Sequence, residues 1–72
     1  MPIITVKLLR GAFSHEQKQE LARDITDAVV RMGGAGIRPA TSVLIEEVDD
    51  AMWSIGGAPL SLAEIEARRR AR

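Results

Sequence analysis

Residues 2–9 are rich in branched side chains, most of them apolar, with no turn-forming residue after Pro2. This composition predicts a β-strand. Both faces of that strand are largely apolar, since one carries Ile4, Val6 and Leu8 and the other carries Ile3 and Leu9. A strand that is apolar on both faces is typical of a sheet that is covered on each side.

The next segment has the period of an amphipathic helix. Ser14 and Gln17 have the spacing of a capping box, in which each side chain satisfies a backbone N–H at the start of a helix. The adjacent Gly33 and Gly34 supply a stop signal. We therefore predict a helix over residues 15–32, whose apolar face is formed by Leu21, Ala22, Ile25, Ala28, Val29 and Met32.

A second strand is predicted at residues 41–48, after a loop at residues 35–40. Strand, helix and strand in this order predict a right-handed βαβ unit with parallel strands, which is an α/β (α+β) fold. Two glycines in residues 53–57 indicate a short hairpin segment. Residues 58–72 form the C-terminal tail, in which residues 62–70 have the pattern of a short helix.

Composition narrows the class of protein. A length of 72 residues predicts one domain, and 46% apolar with 28% charged residues is an ordinary globular balance. With no cysteine and a single histidine, His15, we expect neither a disulfide nor a metal site. The zero net charge gives no reason to expect nucleic acid, and the arginines of residues 68–72 are expected to be solvated. Without a long apolar run we expect no membrane contact and a cytoplasmic protein.

The small size of the chain favours association. Domains of this length bury about 60% of their unfolded surface and usually need disulfides, a metal or oligomerisation. Phe13 and Trp53 are the two aromatic residues, so the core is built from smaller side chains. Two strands and one helix cannot cover a sheet on both faces, and we expect other copies of the chain to supply the missing layer.

Pro2 is the candidate for chemistry. Methionine before a small residue such as proline is normally removed, which would leave Pro2 with a free secondary amine. An α-amino group titrates at about 7.7–8.0, and both desolvation and a neighbouring cation would lower this pKa. Such an amine is a general base suited to neutral pH. The alternative is that Met1-Pro2 is an ordinary start to a strand.

The chain as a whole resembles the 4-oxalocrotonate tautomerase family. The resemblance covers about residues 2–60 and rests on Pro2 with the two isoleucines that follow it, the Gly11 turn, residues 14–18 and residues 55–57. It implies short βαβ chains, often assembled as hexamers or trimers of dimers. It also implies an N-terminal proline as the catalytic base and no metal or organic cofactor.

The resemblance also assigns roles to particular positions. Pro2 corresponds to the catalytic proline, and Trp53 corresponds to an aromatic position that lines the pocket and keeps water from the amine. For Trp53 a place in the core or an interface is the alternative. One of two substrate-binding arginines normally follows the glycine at the end of the first strand, but here Ala12 and Phe13 follow Gly11.

The second arginine normally lies on the second strand, where alignment places either Ser42 or Leu44. The pocket wall is therefore expected to be more apolar or acidic, and 4-oxalocrotonate itself is not the expected substrate. Arg10, from another copy if necessary, and Arg38 are the candidate arginines for substrate. For each, a solvated surface position is the alternative.

Three hypotheses follow. The first is a cofactor-independent tautomerase that uses Pro2 to move a proton in a small enol or unsaturated oxo acid. The second keeps Pro2 but hydrates or dehalogenates unsaturated acids. The third is a non-catalytic subunit of an oligomeric assembly, which the missing arginines favour.

Overall fold

Two parallel strands and the helix between them form the frame of the chain. The computed structural model describes residues 1–71. Strand β1 (Ile3–Leu9) pairs in parallel with strand β2 (Ser42–Val48), in a register that runs from Ile3 opposite Ser42 to Leu9 opposite Val48. Helix α1 (His15–Gly33) connects them. The predicted α/β class with a parallel βαβ unit is confirmed.

Helix α1 begins where its capping box predicts. The Gln17 backbone N–H donates to Ser14 Oγ over 3.1 Å, and the Ser14 backbone N–H donates to Gln17 Oε1 over 2.8 Å. Two backbone donors of the first turn are thereby satisfied. The helix extends one residue beyond the predicted range and ends where the Gly34 N–H donates to the carbonyl of Val30.

The sheet has one covered face and one open face. On the α1 side, Val6 and Ile45 are half-buried, and at the end of β1 Leu9, which has the strand parity of Ile3, is 5% exposed. On the opposite side Ile3 is 68% exposed and Leu44 is also exposed. Apolar side chains of a stable protein avoid such contact with water. Among the described residues, α1 covers one face of the sheet and the other face is open at Ile3 and Leu44.

The connections are more regular than the sequence indicated. Residues Ala35–Ala40, predicted as a loop, form a 3₁₀ helix, and Asp50–Met52 form another after β2. The hairpin predicted at residues 53–57 extends further, because β3 (Ser54–Ile55) pairs antiparallel with β4 (Ala58–Pro59) around the two glycines. The turn residues alone did not reveal this second arm.

A second helix lies near the end of the chain, in the segment where the sequence has the pattern of a short helix. Helix α2 (Leu62–Arg70) starts at Ser61, whose Oγ accepts the Glu64 N–H over 3.3 Å. The Leu62 N–H donates to Asp50 Oδ2 over 3.4 Å, which ties α2 to the turn after β2. The predicted tail reaches Arg72, which lies outside the described residues. Within residues 1–71, no helix has the length and apolar character needed to cross a membrane.

Candidate active site

Pro2 stands at the N-terminal end of the sheet. Its carbonyl accepts the Ser42 N–H over 3.0 Å, so the backbone of Pro2 is fixed at the point where β2 begins. The proline itself is half-buried, whereas Met1 before it is 94% exposed. The proline ring therefore lies at the N-terminal end of the sheet, and its nitrogen is bonded to a residue that is almost fully exposed.

Arg38 lies in the 3₁₀ helix that leads into β2, at the same end of the sheet. Its backbone carbonyl accepts the Thr41 N–H, one residue before Ser42. The guanidinium Nη2 donates to Asp27 Oδ1 on α1 over 2.7 Å, with both side chains about half exposed. In one chain, Arg38 is therefore already paired with a carboxylate.

Ser42 and Leu44 lie on the open face of the sheet. The register places them opposite Ile3 and Thr5, and all four are exposed. Further along the same face, Lys7 Nζ lies 3.3 Å from a carboxylate oxygen of Glu46. At the Pro2 end the open face thus carries the apolar Ile3 and Leu44 beside Ser42 and Thr5, and further along it carries a balanced pair of charges.

Arg10 lies at the opposite end of the sheet from Pro2. Its Nε donates to Asp49 Oδ1 over 2.5 Å, and its backbone N–H donates to the carbonyl of Val48. Eight residue positions separate Pro2 from Arg10, which in an extended strand is about 26 Å. Sharing a strand face therefore does not bring these two residues together within one chain.

Trp53 lies at the Arg10 end as well. It follows the 3₁₀ helix Asp50–Met52, is half-buried, and its carbonyl accepts the Leu60 N–H over 2.7 Å. The predicted site residues therefore form two groups. Pro2, Arg38, Ser42 and Leu44 are on the N-terminal side of the sheet, and Arg10 and Trp53 are at its C-terminal end.

Glu47 joins three elements beneath the Arg10 end, a role that sequence reasoning missed. Its carboxylate accepts from Lys18 Nζ on α1 over 2.8 Å and from the Gly11 N–H over 3.3 Å. The Lys18 hydrogen bond is the main cause of a Glu47 pKa below its usual value, and Gly11 adds to the effect. The pairing holds the turn after β1 against α1 and β2.

A groove of about 290 Å³ lies beside this ion pair, between α1 and β2. His15, Lys18, Gln19, Val43 and Glu47 contribute to its walls. None of the residues predicted for the active site lines it. Within residues 1–71, no three histidine, cysteine or carboxylate side chains come together as ligands for a metal ion.

A second residue missed by sequence reasoning is Arg69 of α2. Its Nη1 donates to the carbonyl of Ala12, and its guanidinium carbon lies 5.3 Å from the centre of the Phe13 ring. The sequence alone predicts that the arginines of this terminal segment are solvated. The signal that could have located Arg69 was Phe13, an exposed ring in a turn, which is a preferred surface for a guanidinium.

Comparison with known proteins agrees with this architecture. The family described as tautomerase enzyme matches residues 2–63. A probable tautomerase of Staphylococcus haemolyticus is 44% identical over 64 residues, which is 89% of this chain and 100% of the relative.

Two solved structures are similar over nearly their whole length. YwhB, a homologue of 4-oxalocrotonate tautomerase, is 36% identical with a TM-score of 0.74, over 85% of this chain and 97% of YwhB. TomN, a 4-oxalocrotonate tautomerase homologue in the tomaymycin biosynthetic pathway, is 31% identical with a TM-score of 0.75, over 99% of this chain and 97% of TomN. Sequence, fold and these relatives together show that the chain belongs to the 4-oxalocrotonate tautomerase family of the tautomerase superfamily.

Proposed function

We propose that this tautomerase family member is a cofactor-independent isomerase whose general acid–base is the secondary amine of Pro2, freed by removal of Met1. The observation that carries the proposal is the position of Pro2. Its carbonyl is anchored to the Ser42 N–H, while Met1 projects almost fully into solvent. Removing Met1 would leave the proline held in place with a free amine at the rim of the sheet.

The chemistry needs one group that accepts and returns a proton. The lone pair of the Pro2 nitrogen takes a proton from the hydroxyl of an enol, or from the carbon between a C=C and a C=O bond. The ammonium then returns that proton to another carbon of the conjugated system, so that the substrate is isomerised and the amine is regenerated. A free amine titrates at about 7.7–8.0, and burial in a pocket would lower its pKa toward neutrality.

We propose that the pocket forms where copies of the chain meet. Pro2 and Trp53 lie at opposite ends of a strand-length unit, and Arg10 is about 26 Å from Pro2 by the rise of a strand. The open face, with Ile3 and Leu44 exposed, is the layer that a neighbouring copy would cover. A homohexamer, arranged as a trimer of dimers, would bring Trp53 of one copy toward Pro2 of another and exclude water from the amine.

The substrate class follows from the residues at the site. Ser42 and Leu44 present no cation from β2, and the guanidinium of Arg38 is paired with Asp27. A small enol or oxo acid with one carboxylate, such as phenylenolpyruvate, fits this arrangement better than a dicarboxylate. Comparing the turnover of phenylenolpyruvate with that of 2-hydroxymuconate, which has two carboxylates, tests this preference.

The experiment is ketonisation of phenylenolpyruvate followed by ultraviolet absorbance. We expect wild-type turnover, loss of turnover in Pro2→Ala, and an intact mass without methionine. His15→Ala is the matched control, since it removes the single histidine of the chain, which lies in the first turn of α1 outside the proposed site. Equal rates for wild type and Pro2→Ala would refute the proline mechanism. A chain that retains Met1 would support the non-catalytic subunit, and conversion of a haloacrylate in place of the enol would support the hydratase or dehalogenase.

A further inference from the structure

Helix α2 is fixed at the same end of the chain as Arg10 and Trp53. The Leu62 N–H donates to Asp50 Oδ2 over 3.4 Å. The Leu62 side chain also packs over Gly11, where an added Cβ would lie 3.2 Å from Leu62 Cδ2. These contacts hold the first turn of α2 against the two turns that follow β1 and β2, so the residues two turns later have a defined position.

Arg69, two turns along α2, has a guanidinium whose geometry is set mainly by uncharged groups. It donates to the carbonyl of Ala12 and lies 5.3 Å from the centre of the Phe13 ring. A guanidinium on an aromatic face keeps the N–H donors in its plane available to further partners. The Arg69 side chain is 41% exposed, so these donors are accessible from outside the chain.

The other two candidate arginines are committed to carboxylates. Arg10 donates to Asp49 over 2.5 Å, and Arg38 donates to Asp27 over 2.7 Å. Both pairs join separate elements of the fold. The carboxylate partner of Arg69 is Glu66, three residues earlier on the same helix, at a longer distance of 3.4 Å. All three pairs are about half exposed, and the longer distance makes the Arg69 pair the weakest of them and the one most easily exchanged for a better acceptor.

We propose that Arg69 is the residue that binds the carboxylate of the substrate. The proposal rests on the proposed function, in which the end of the chain that carries Trp53 contributes to the pocket. Arg69 would hold the carboxylate through two parallel N–H···O bonds, with Phe13 fixing the plane of the guanidinium. The ligand class is therefore a 2-oxo acid or its enol, bound by one carboxylate.

The test separates binding from turnover. The binding probe is benzoylformate, a 2-oxo acid that cannot enolise, and its methyl ester is the uncharged control. Binding is followed by the fluorescence of Trp53, the single tryptophan of a chain without tyrosine. We expect Arg69→Gln to weaken benzoylformate binding and to raise the KM for phenylenolpyruvate by about 10- to 100-fold, the range for charged hydrogen bonds. Binding of the ester should not change.

Neighbouring arginines provide matched controls. Arg68→Gln and Arg70→Gln remove the same charge from the same helix. Because exposed charges contribute little, these variants should keep the Kd for benzoylformate and the KM for phenylenolpyruvate within about twofold of wild type. Arg69→Lys keeps the charge without the planar fork and should bind with intermediate affinity. Circular dichroism of each variant verifies that α2 is retained.

The outcomes distinguish this proposal from the proposed function. Arg69-dependent binding in a wild-type protein without turnover would support the carboxylate site and refute the isomerase. Turnover that disappears in Pro2→Ala but is unchanged in Arg69→Gln would support the isomerase and refute the carboxylate site at Arg69. Equal losses in the Arg68, Arg69 and Arg70 variants, or no binding of benzoylformate at all, would overturn the assignment of Arg69.

Discussion

Replacement of Gly11 by alanine tests the link between the turn after β1 and helix α2. Gly11 has φ +85°, in the left-handed region that disfavours any residue with a Cβ. Its new methyl group would also lie 3.2 Å from Leu62 Cδ2. Two separate costs are therefore expected, one from the backbone and one from the contact with α2.

Two other glycines allow these costs to be separated. Gly34 has φ +91° but no atom within 4 Å of an added Cβ, so Gly34→Ala measures the backbone cost alone. That cost is about 1–2 kcal/mol. Gly36 has open space and no positive φ, so Gly36→Ala should be neutral or stabilise by up to about 1 kcal/mol. Gly11→Ala adds a contact cost of about 1 kcal/mol, at the low end for overpacking because the Leu62 tip can shift.

Urea unfolding at one fixed protein concentration measures these differences, since association makes stability depend on concentration. We expect the free energy of unfolding to decrease in the order Gly36→Ala, Gly34→Ala, Gly11→Ala. Combining Gly11→Ala with Leu62→Ala should recover about 1 kcal/mol relative to the sum of the two single changes, because the contact is then removed. Equal stabilities of Gly11→Ala and Gly36→Ala would refute the reasoning.

Three further predictions concern stability. Glu47→Gln should lower Tm at neutral pH, and this difference should disappear in acid. Because the pKa of Glu47 is lowered in the folded chain, its stabilisation is present above the usual value of 4.5 and is lost as the pH falls through the folded pKa. A Tm difference that stays constant with pH would contradict this. Leu9→Ala should destabilise by about 2–5 kcal/mol in urea unfolding, since Leu9 is 5% exposed, and a loss below that of Ile3→Ala would contradict the assigned core. Ser14→Ala should cost about 1 kcal/mol in the same assay, whereas Ser54→Ala, outside any cap, should cost less.

The strands and α1 could be predicted because their signals are local. The capping box needs Ser14 and Gln17, three residues apart, and the apolar period of α1 is contained in its own sequence. The parallel pairing then follows from the order of the elements. These features depend on neighbours along the chain, so one sequence is sufficient to identify them.

Helix α2 and Arg69 could not be placed in this way. Residues 62–70 follow the capping Ser61, contain three arginines and have no continuous apolar stripe, so their pattern does not show which surface they pack on. Their position depends on Leu62 meeting Gly11 and on Arg69 meeting Ala12, contacts that join residues more than fifty positions apart. Such contacts are a property of the folded chain.

For the candidate site, the sequence predicts which face of a strand each residue occupies, but it does not predict the distances between those residues. Strand parity assigned Arg10 to the side of Pro2, and the structure separates them by the length of β1. The small size of the chain has a further consequence, since a sheet of two strands leaves Ile3 and Leu44 exposed on its open face. Under the proposed function, association with a second copy would resolve both the separation of the site residues and the exposure of the open face. A second copy that covers the open face would also shorten the path between Pro2 of one chain and Trp53 of the other. Stability and catalysis would then depend on the same contacts, and a variant that disrupts the open face, such as Leu44→Glu, should lose both together.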